Sequence, residues 1–160
     1  MGNTVKLRKV YEPDDEAPDV LQRIDGLDRL IFYDCEPYPH KADSHWWAVV
    51  DSGEWVGFAG LRDMGDGIGY LCRAGIIGTH RGRGLQRRMI NARLRAARSL
   101  GMSIVVTDTA TTNPASANNL YRCGFKVYTP ANQWRGPLAL YFRRELDYTA
   151  NGLTTVQTTD

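Results

Sequence analysis

The sequence predicts a single domain built on a mixed α/β sheet, and two observations carry this prediction. Near both ends of the chain, short runs alternate apolar and polar residues, a pattern that favours strands. In the middle, a strand-like run over 69–78 is followed by a helical pattern over 85–100 and a β-branched run over 103–107. A strand–helix–strand crossover of this length pairs its two strands in parallel. We expect one domain over residues 1–148 and a flexible C-terminal tail over 149–160.

The first third of the chain is predicted to contain a strand, one or two helices and a hairpin. Residues 5–10 alternate and form the first strand, and the acidic segment 13–16 resembles a helix start. Two strands over 45–50 and 55–61 are joined by a hairpin turn. Between the first strand and this hairpin, apolar residues recur at helical spacing and are interrupted by Gly26, which predicts one or two helices. These apolar residues are Val20, Ile24, Leu27, Leu30 and Ile31.

The remaining elements are predicted from the same periodicities. A central strand over 70–77 precedes the long helix, which ends before Gly101, a residue typical of helix C-termini. A short helix over 113–123 and two strands over 125–128 and 138–146 complete the sheet. The predicted order is β-α-α-β-β-β-α-β-α-β-β. The predicted buried face of the long helix is Leu85, Met89, Ala92, Ala96 and Leu100, with Arg87, Asn91, Arg95 and Arg98 facing outward.

Composition and charge limit the classes of function. The cysteines Cys35, Cys72 and Cys123 are scattered, which argues against a metal site or disulfide framework and for a reducing, cytoplasmic location. No apolar run is long enough to span a bilayer, so no membrane partner is expected.

The net charge of +2 hides an asymmetry between the two parts of the chain. Residues 1–66 carry 14 acidic and 7 basic side chains, a balance of −7, whereas residues 67–160 carry 4 acidic and 13 basic ones, a balance of +9. This division favours a cleft that receives an anionic ligand on one side and a cationic ligand on the other.

A phosphate site is expected at the segment 81–86, which reads Arg-Gly-Arg-Gly-Leu-Gln. Two glycines between a strand end and a helix start allow a tight turn. The first turn of the helix leaves backbone N–H groups unpaired, and its dipole adds partial positive charge. The segment therefore indicates an anion site, with neighbouring arginines available to neutralise the ligand.

The order of these elements and two of their motifs resemble the GCN5-related N-acetyltransferase (GNAT) superfamily. The signature Q/R-x-x-G-x-G/A is matched by residues 81–86 except at Gln86. The signature N-x-x-A/S-x-x-L-Y-x-x-x-G-F is matched by residues 113–125, with one extra residue after Asn113. The resemblance covers about residues 5–146 and implies a GNAT-like fold in which the fourth and fifth strands splay apart.

The resemblance implies acetyl-CoA as co-substrate and no metal. Backbone amides of the glycine turn would hold the pyrophosphate, and the splayed fourth strand would pair with the pantetheine arm. Gln86 keeps its amide donor, so the cradle is expected to survive, though more crowded. The implied cofactor-binding residues are Ile76, Ile77, Gly78, Arg81, Gly82, Arg83, Gly84, Leu85, Gln86, Arg87, Asn113, Ser116, Asn118 and Tyr121.

The resemblance also implies that Tyr121 is the general acid toward the departing thiolate, with core packing as the alternative. Many relatives use a glutamate on the fourth strand as base, but residues 70–73 contain no carboxylate. The candidate bases are therefore Asp108 at the end of the fifth strand, Glu36 or Asp34 in an acidic aromatic loop, or a chain of water molecules.

Two other residue types are interpreted as non-catalytic. Cys72 is read as a buried strand residue rather than a covalent acyl carrier, and His40, His45 and His80 as polar surface groups. His80, beside the glycine turn, could add positive charge there.

The favoured function is transfer of the acetyl group of acetyl-CoA to a primary amine by direct attack in a ternary complex. The acceptor is expected to be cationic, either a small molecule or a peptide or protein amine, and a homodimer is left open. One alternative is nucleic-acid binding through the arginine-rich helix, which lacks stacking aromatics. The other is a catalytically weak member of the same fold that binds a protein partner.

Overall fold

The computed structural model describes residues 5–147 and the backbone of two short strands beyond them. The strands are β1 (Lys6–Tyr11), β2 (Ser44–Asp51), β3 (Glu54–Asp63), β4 (Ile68–Ile76), β5 (Ile104–Ala110), β6 (Lys126–Tyr128), β7 (Ala139–Glu145), β8 (Thr149–Ala150) and β9 (Leu153–Thr154). The helices are α1 (Pro18–Ile31), α2 (Leu85–Ser99) and α3 (Pro114–Arg122), with a 3-10 turn at Gly78–His80.

Strands β1 to β7 form one mixed sheet in the order β1-β2-β3-β4-β5-β7-β6. Neighbours pair antiparallel except β4 and β5, which are parallel. The predicted mixed α/β fold and its parallel crossover are thus confirmed. Most of the predicted tail over 149–160 lies outside the described residues; within it, β8 and β9 pair with each other. Among the described residues, no helix is long and apolar enough to cross a membrane.

A single helix, α1, replaces the two helices of the predicted order. Pro18 occupies its first turn, so the acidic segment 13–16 lies before the helix and not within it. Gly26 is exposed inside the helix, where it costs about 1 kcal/mol relative to alanine. The buried residues Ile24 and Leu27 pack on the sheet and hold the helix together across this glycine, whereas Leu30 is exposed rather than buried.

The buried face of α2 differs from the predicted one. Ala92 and Ala96 are only half-buried and Leu100 is exposed. The predicted Leu85 and Met89 are buried, and the rest of the buried face is formed by Ile90, Arg93, Leu94 and Ala97.

Arg93 is the buried exception within that face, only 3% exposed. Its Nε donates to Met89 O (3.1 Å), and its Nη1 donates to Gly60 O (3.0 Å) and Cys72 O (3.3 Å). Burial lowers the pKa of Arg93 to about 10, which leaves it protonated at neutral pH. The guanidinium therefore joins α2 to the backbones of β3 and β4.

Strands β4 and β5 share only three residue pairs and then diverge. The last pair is Tyr70 with Val106, although β4 continues to Ile76 and β5 to Ala110. On its other side, β4 carries an irregular register where Ala59 pairs with residue 74 and Gly60 with residue 72. The expected splay is present, and we call the opening between the two strands the fork.

Candidate active site

The glycine turn lies directly before α2 in the geometry that an anion site requires. Gly82 and Gly84 have φ angles of 76° and 73°, in the left-handed region that favours glycine. Gly84 is the N-cap, and the first intrahelical hydrogen bond runs from Arg88 N to Gly84 O (3.2 Å). The N–H groups of Leu85, Gln86 and Arg87 precede that bond, so they are available to a ligand.

The open edge of β4 begins where the fork widens. Ile77 N donates to Val56 O on β3 (2.9 Å), so the N–H and C=O of Ile76 point the opposite way, into the fork. Arg81 Nε donates to Ile76 O from that side (3.3 Å). The arginine that begins the glycine turn is thereby tied to the strand edge expected to hold the pantetheine arm.

Two glycines of β4 and its following turn have different roles. A Cβ at Gly75 would lie 2.8 Å from Ile31 Cγ2 and 2.9 Å from the Phe32 ring, so this glycine makes room for α1 packing. A Cβ at Gly78 would meet nothing within 4 Å, which leaves the space beside the 3-10 turn open.

The second motif forms the start of α3. Asn113 is the N-cap, and its Oδ1 accepts a hydrogen bond from Ser116 N (3.2 Å), with Pro114 following in the first turn. This oxygen caps the helix, and the side-chain amide nitrogen of Asn113 makes no hydrogen bond within the described residues, so it can contact a ligand. Ser116 is half-buried and Asn118 is exposed.

Tyr121 lies on α3 with half of its side chain accessible (52%). Its ring packs edge-on against Phe142, with centroids 5.2 Å apart. Phe142 is buried in the core beneath α2 and α3 and pairs with Thr107 of β5. Tyr121 therefore lies on the α2–α3 face of the sheet, over β7.

Asp108 lies on the opposite face and gathers three donors. Its Oδ2 accepts from Tyr70 OH (2.6 Å) and Trp134 Nε1 (2.9 Å), and its Oδ1 lies 3.3 Å from Arg135 Nε. The Asp108 side chain is only 8% exposed. Burial, followed by the charge of Asp108, raises the pKa of Tyr70, so this hydroxyl stays protonated and donates. We call Asp108, Tyr70, Trp134 and Arg135 the Asp108 cluster.

The Asp108 cluster and Tyr121 lie on opposite faces of the sheet. Successive strand residues point to opposite faces, and Thr107 belongs to the Tyr121 side whereas Asp108 belongs to the α1 side. Tyr70, whose hydroxyl reaches Asp108, is also the last β4 residue paired with β5. Tyr121 and the Asp108 carboxylate thus lie on opposite faces of the sheet, and Asp108 lies beside the last residue pair of β4 and β5.

The acidic aromatic loop lies along β4 on the same side as Asp108. Arg73 Nη2 donates to Glu36 O (2.8 Å), and its guanidinium lies over the Phe32 ring at 4.7 Å. Asp28, 1% exposed, anchors the loop by accepting from Tyr38 N (2.8 Å). Glu36 and Asp34 are exposed, so their carboxylates add negative charge to this side of the sheet.

Cys72, His45 and His80 are buried or paired with another side chain. Cys72 is buried, and burial raises the pKa of its thiol to about 11, which is unsuited to nucleophilic attack. The sequence had suggested that His45 is a surface group, and this prediction is wrong because the residue is buried. His80 Nε2 lies 2.7 Å from Asp51 Oδ2, and this hydrogen bond lowers the pKa of Asp51. Among residues 5–147, no cluster of three or more metal-ligating side chains is found.

Sequence reasoning missed Tyr70, Trp134, Arg135 and the buried Arg93. A signal for Arg93 existed, because it lies four residues after Met89 and four before Ala97 on the buried face. For Trp134 and Arg135 no local pattern was available, since they lie in the loop between β6 and β7 and reach Asp108 only in three dimensions.

Comparisons with known proteins were made for both the sequence and the fold. The model of the family described as Acetyltransferase (GNAT) family matches residues 7–125. A comparison with curated protein sequences finds no match. The solved structures described next are less than 20% identical to this chain, so their likeness shows the fold alone.

Three solved structures illustrate this fold. Arabidopsis thaliana NAA60 in complex with acetyl-CoA is 19% identical, with 89% of this chain and 99% of that chain covered and a TM-score of 0.69. The ribosomal-protein-S18-alanine N-acetyltransferase from Escherichia coli is 12% identical, with 94% and 99% covered and a TM-score of 0.70. An acetyltransferase from Bacillus subtilis in complex with CoA is 13% identical, with 89% and 99% covered and a TM-score of 0.62.

Proposed function

The chain belongs to the acetyltransferase (GNAT) family of acyl-CoA-dependent N-acyltransferases, and we propose that it transfers the acetyl group of acetyl-CoA to a primary amine. The observation that carries this proposal is the fork, with a glycine turn at its open end and Tyr121 and Asp108 on its two faces. Two of the structures with this fold were solved with CoA or acetyl-CoA.

The glycine turn would bind the pyrophosphate of the co-substrate. The N–H groups of Leu85, Gln86 and Arg87 supply donors and the α2 dipole supplies positive charge. The absence of acidic residues from 67 to 107 keeps this side of the molecule positive. The pantetheine arm would then pair with the N–H of Ile76, and with its C=O where the arm replaces the Arg81 Nε that now donates to it, along the fork.

Asp108 is proposed as the base and Tyr121 as the acid. An ammonium must lose a proton before it attacks, and Asp108 presents a carboxylate at the vertex of the fork. The amine nitrogen then bonds to the acetyl carbon as the carbon–sulfur bond breaks. The departing thiolate takes a proton from Tyr121 on the other face, and the second proton that the attacking nitrogen loses returns to the tyrosinate through solvent. Glu36, exposed along the acceptor side, adds to the field that attracts the ammonium.

We also propose a cytoplasmic location, where the free thiols of Cys35, Cys72 and Cys123 remain reduced. The nucleic-acid alternative is weakened by one observation. Of the α2 arginines on which it rested, Arg93 is inside the core, with its guanidinium donating to backbone carbonyls.

Calorimetric titration with acetyl-CoA tests the binding half of the proposal. We expect one site per chain, and the absence of binding at tens of micromolar co-substrate would remove the proposal. Tyr121→Phe tests the acid. It should lower kcat by about 100-fold or more with little change in acetyl-CoA affinity. Tyr128→Phe on β6 is the matched control and should retain wild-type turnover.

A further inference from the structure

We propose that the acceptor is a free α-amino acid, which carries a carboxylate on the carbon next to its amine. This inference rests on the proposed acetyl transfer and concerns what occupies the acceptor side of the fork. It follows from the Asp108 cluster, where an anion and a partly free cation lie within one hydrogen-bond length of each other.

Arg135 is the cation, and it is poised for a second partner. Its side chain is 58% exposed, and its Nε lies 3.3 Å from Asp108 Oδ1. Among the described residues, neither of its two terminal nitrogens donates a hydrogen bond. Its backbone is held, because Arg135 N donates to Tyr141 OH (3.0 Å) and Tyr141 OH donates to Gly136 O (2.8 Å). In the part of the chain that the structure describes, the planar guanidinium thus has a held backbone and two terminal nitrogens without a hydrogen bond, which is the geometry that binds a carboxylate.

Asp108 has matching room for an ammonium. Its Oδ2 already accepts from Tyr70 and Trp134, whereas its Oδ1 has one polar contact among residues 5–147, the 3.3 Å approach of Arg135 Nε. A carboxylate oxygen accepts two hydrogen bonds, so Oδ1 can take one more donor. The ammonium of the acceptor would then pair with Asp108 Oδ1. Its carboxylate would pair with the terminal nitrogens of Arg135, so that each charge of the acceptor meets the opposite charge.

An acceptor that carries only a positive charge fits this site less well. Its ammonium would lie beside the guanidinium of Arg135 in a partly buried place, where repulsion between like charges is poorly screened. The carboxylate of an amino acid removes this conflict because it pairs with the guanidinium. A peptide N-terminus offers Arg135 only a neutral carbonyl oxygen, which is a weaker partner than a carboxylate.

The surroundings of the pair indicate the kind of side chain. The Trp134 ring lies edge-on to Tyr70 (6.2 Å between centroids) and to Tyr141 (4.7 Å), and Trp134 is 38% exposed. These rings form an apolar wall beside the ion pair. We therefore expect amino acids with apolar or aromatic side chains to be preferred over polar ones.

The test compares three acceptors that differ only next to the amine. Acetyl transfer is measured with the free acid, the amide and the decarboxylated amine of phenylalanine, of leucine and of alanine. We expect kcat/KM for the acid to exceed that for the amide and the amine by about tenfold or more, mainly through KM. Arg135→Gln should remove this preference, Arg135→Lys should keep part of it, and Arg95→Gln on the far side of α2 should leave it unchanged.

The outcomes separate this inference from the proposed function. Equal or faster transfer to the amide or the amine in all three series would overturn the amino-acid assignment and leave acetyl transfer standing. An acid preference that survives Arg135→Gln would overturn the role of Arg135. No transfer to any acceptor, despite bound acetyl-CoA, would overturn the proposed function and this inference with it. Thermal unfolding of each variant identifies losses that arise from misfolding.

Discussion

Replacing Asp108 by asparagine keeps the shape of the side chain and removes its ability to accept a proton. The asparagine oxygen can still accept from Tyr70 OH and Trp134 Nε1, which now lie 2.6 and 2.9 Å from Oδ2. Only the contact with Arg135 is lost, because the new amide group is itself a donor. Asp108→Asn therefore changes the chemistry of the fork while preserving most of its hydrogen bonds.

We expect Asp108→Asn to lower the stability of the fold only slightly and to lower kcat strongly. Arg135 is 58% exposed, so loss of its ion pair costs at most about 1 kcal/mol. Weaker bonds from a neutral acceptor add about 1 kcal/mol more. The melting temperature should then fall by about 4–8 °C for a domain of this size. Loss of a general base lowers kcat by about 100- to 10,000-fold.

The assay is acetyl transfer measured as thiol release, beside thermal unfolding and acetyl-CoA titration of the same preparation. Asp19→Asn, which alters an exposed carboxylate in the first turn of α1, is the matched control and should match wild type. A kcat within about threefold of wild type for Asp108→Asn would refute the assignment of the base, since a general base contributes far more. A large fall in stability would instead show that the carboxylate is chiefly structural.

Three further predictions concern the fold. Gly26→Ala should stabilise the chain by about 0.5–1 kcal/mol in urea unfolding, because this exposed helical glycine has nothing within 4 Å of an added Cβ; destabilisation would contradict the account. Arg93→Met should cost about 1–3 kcal/mol, because Gly60 O and Cys72 O lose a buried donor; unchanged stability would show that neither carbonyl needs it. Burial holds the pKa of His45 below 6.5, so below pH 6.5 the unfolded chain binds a proton that the folded chain resists, and the free energy of unfolding falls. His45→Gln should make the free energy of unfolding fall less steeply with pH in this range. An unchanged dependence on pH would contradict this.

The sequence was sufficient for most of the fold because its strongest signals are local. Alternation marked the strands, and the run of strand, helix and strand required the parallel pair β4–β5. Gly82 and Gly84 were readable as a turn because positive φ angles favour glycine, and both adopt them. Local signals failed where packing outweighs propensity: Gly26 did not divide α1, because burial of the residues around it compensates for its low helix propensity.

The acceptor side of the candidate site could be predicted only in part. Asp108 and Glu36 were named from their positions, but the partners that define Asp108 come from remote segments. Trp134 lies 26 positions away and belongs to a loop without periodicity, so its contact depends on tertiary structure alone. The spacing of Arg93 from Met89 and Ala97 indicated the buried face, but the carbonyl oxygens that accept from its guanidinium lie on β3 and β4 and were not predictable from the sequence.

The central claim is direct acetyl transfer across the fork, and amine-dependent thiol release from acetyl-CoA tests it most directly. With wild-type protein and a panel of amines that includes amino acids, we expect release that requires an amine and matches, mole for mole, the N-acetylated product found by mass spectrometry. Asp108→Asn and Tyr121→Phe should each abolish most of that release. Release that proceeds equally without any amine, or none with every amine while acetyl-CoA is bound, would contradict the account.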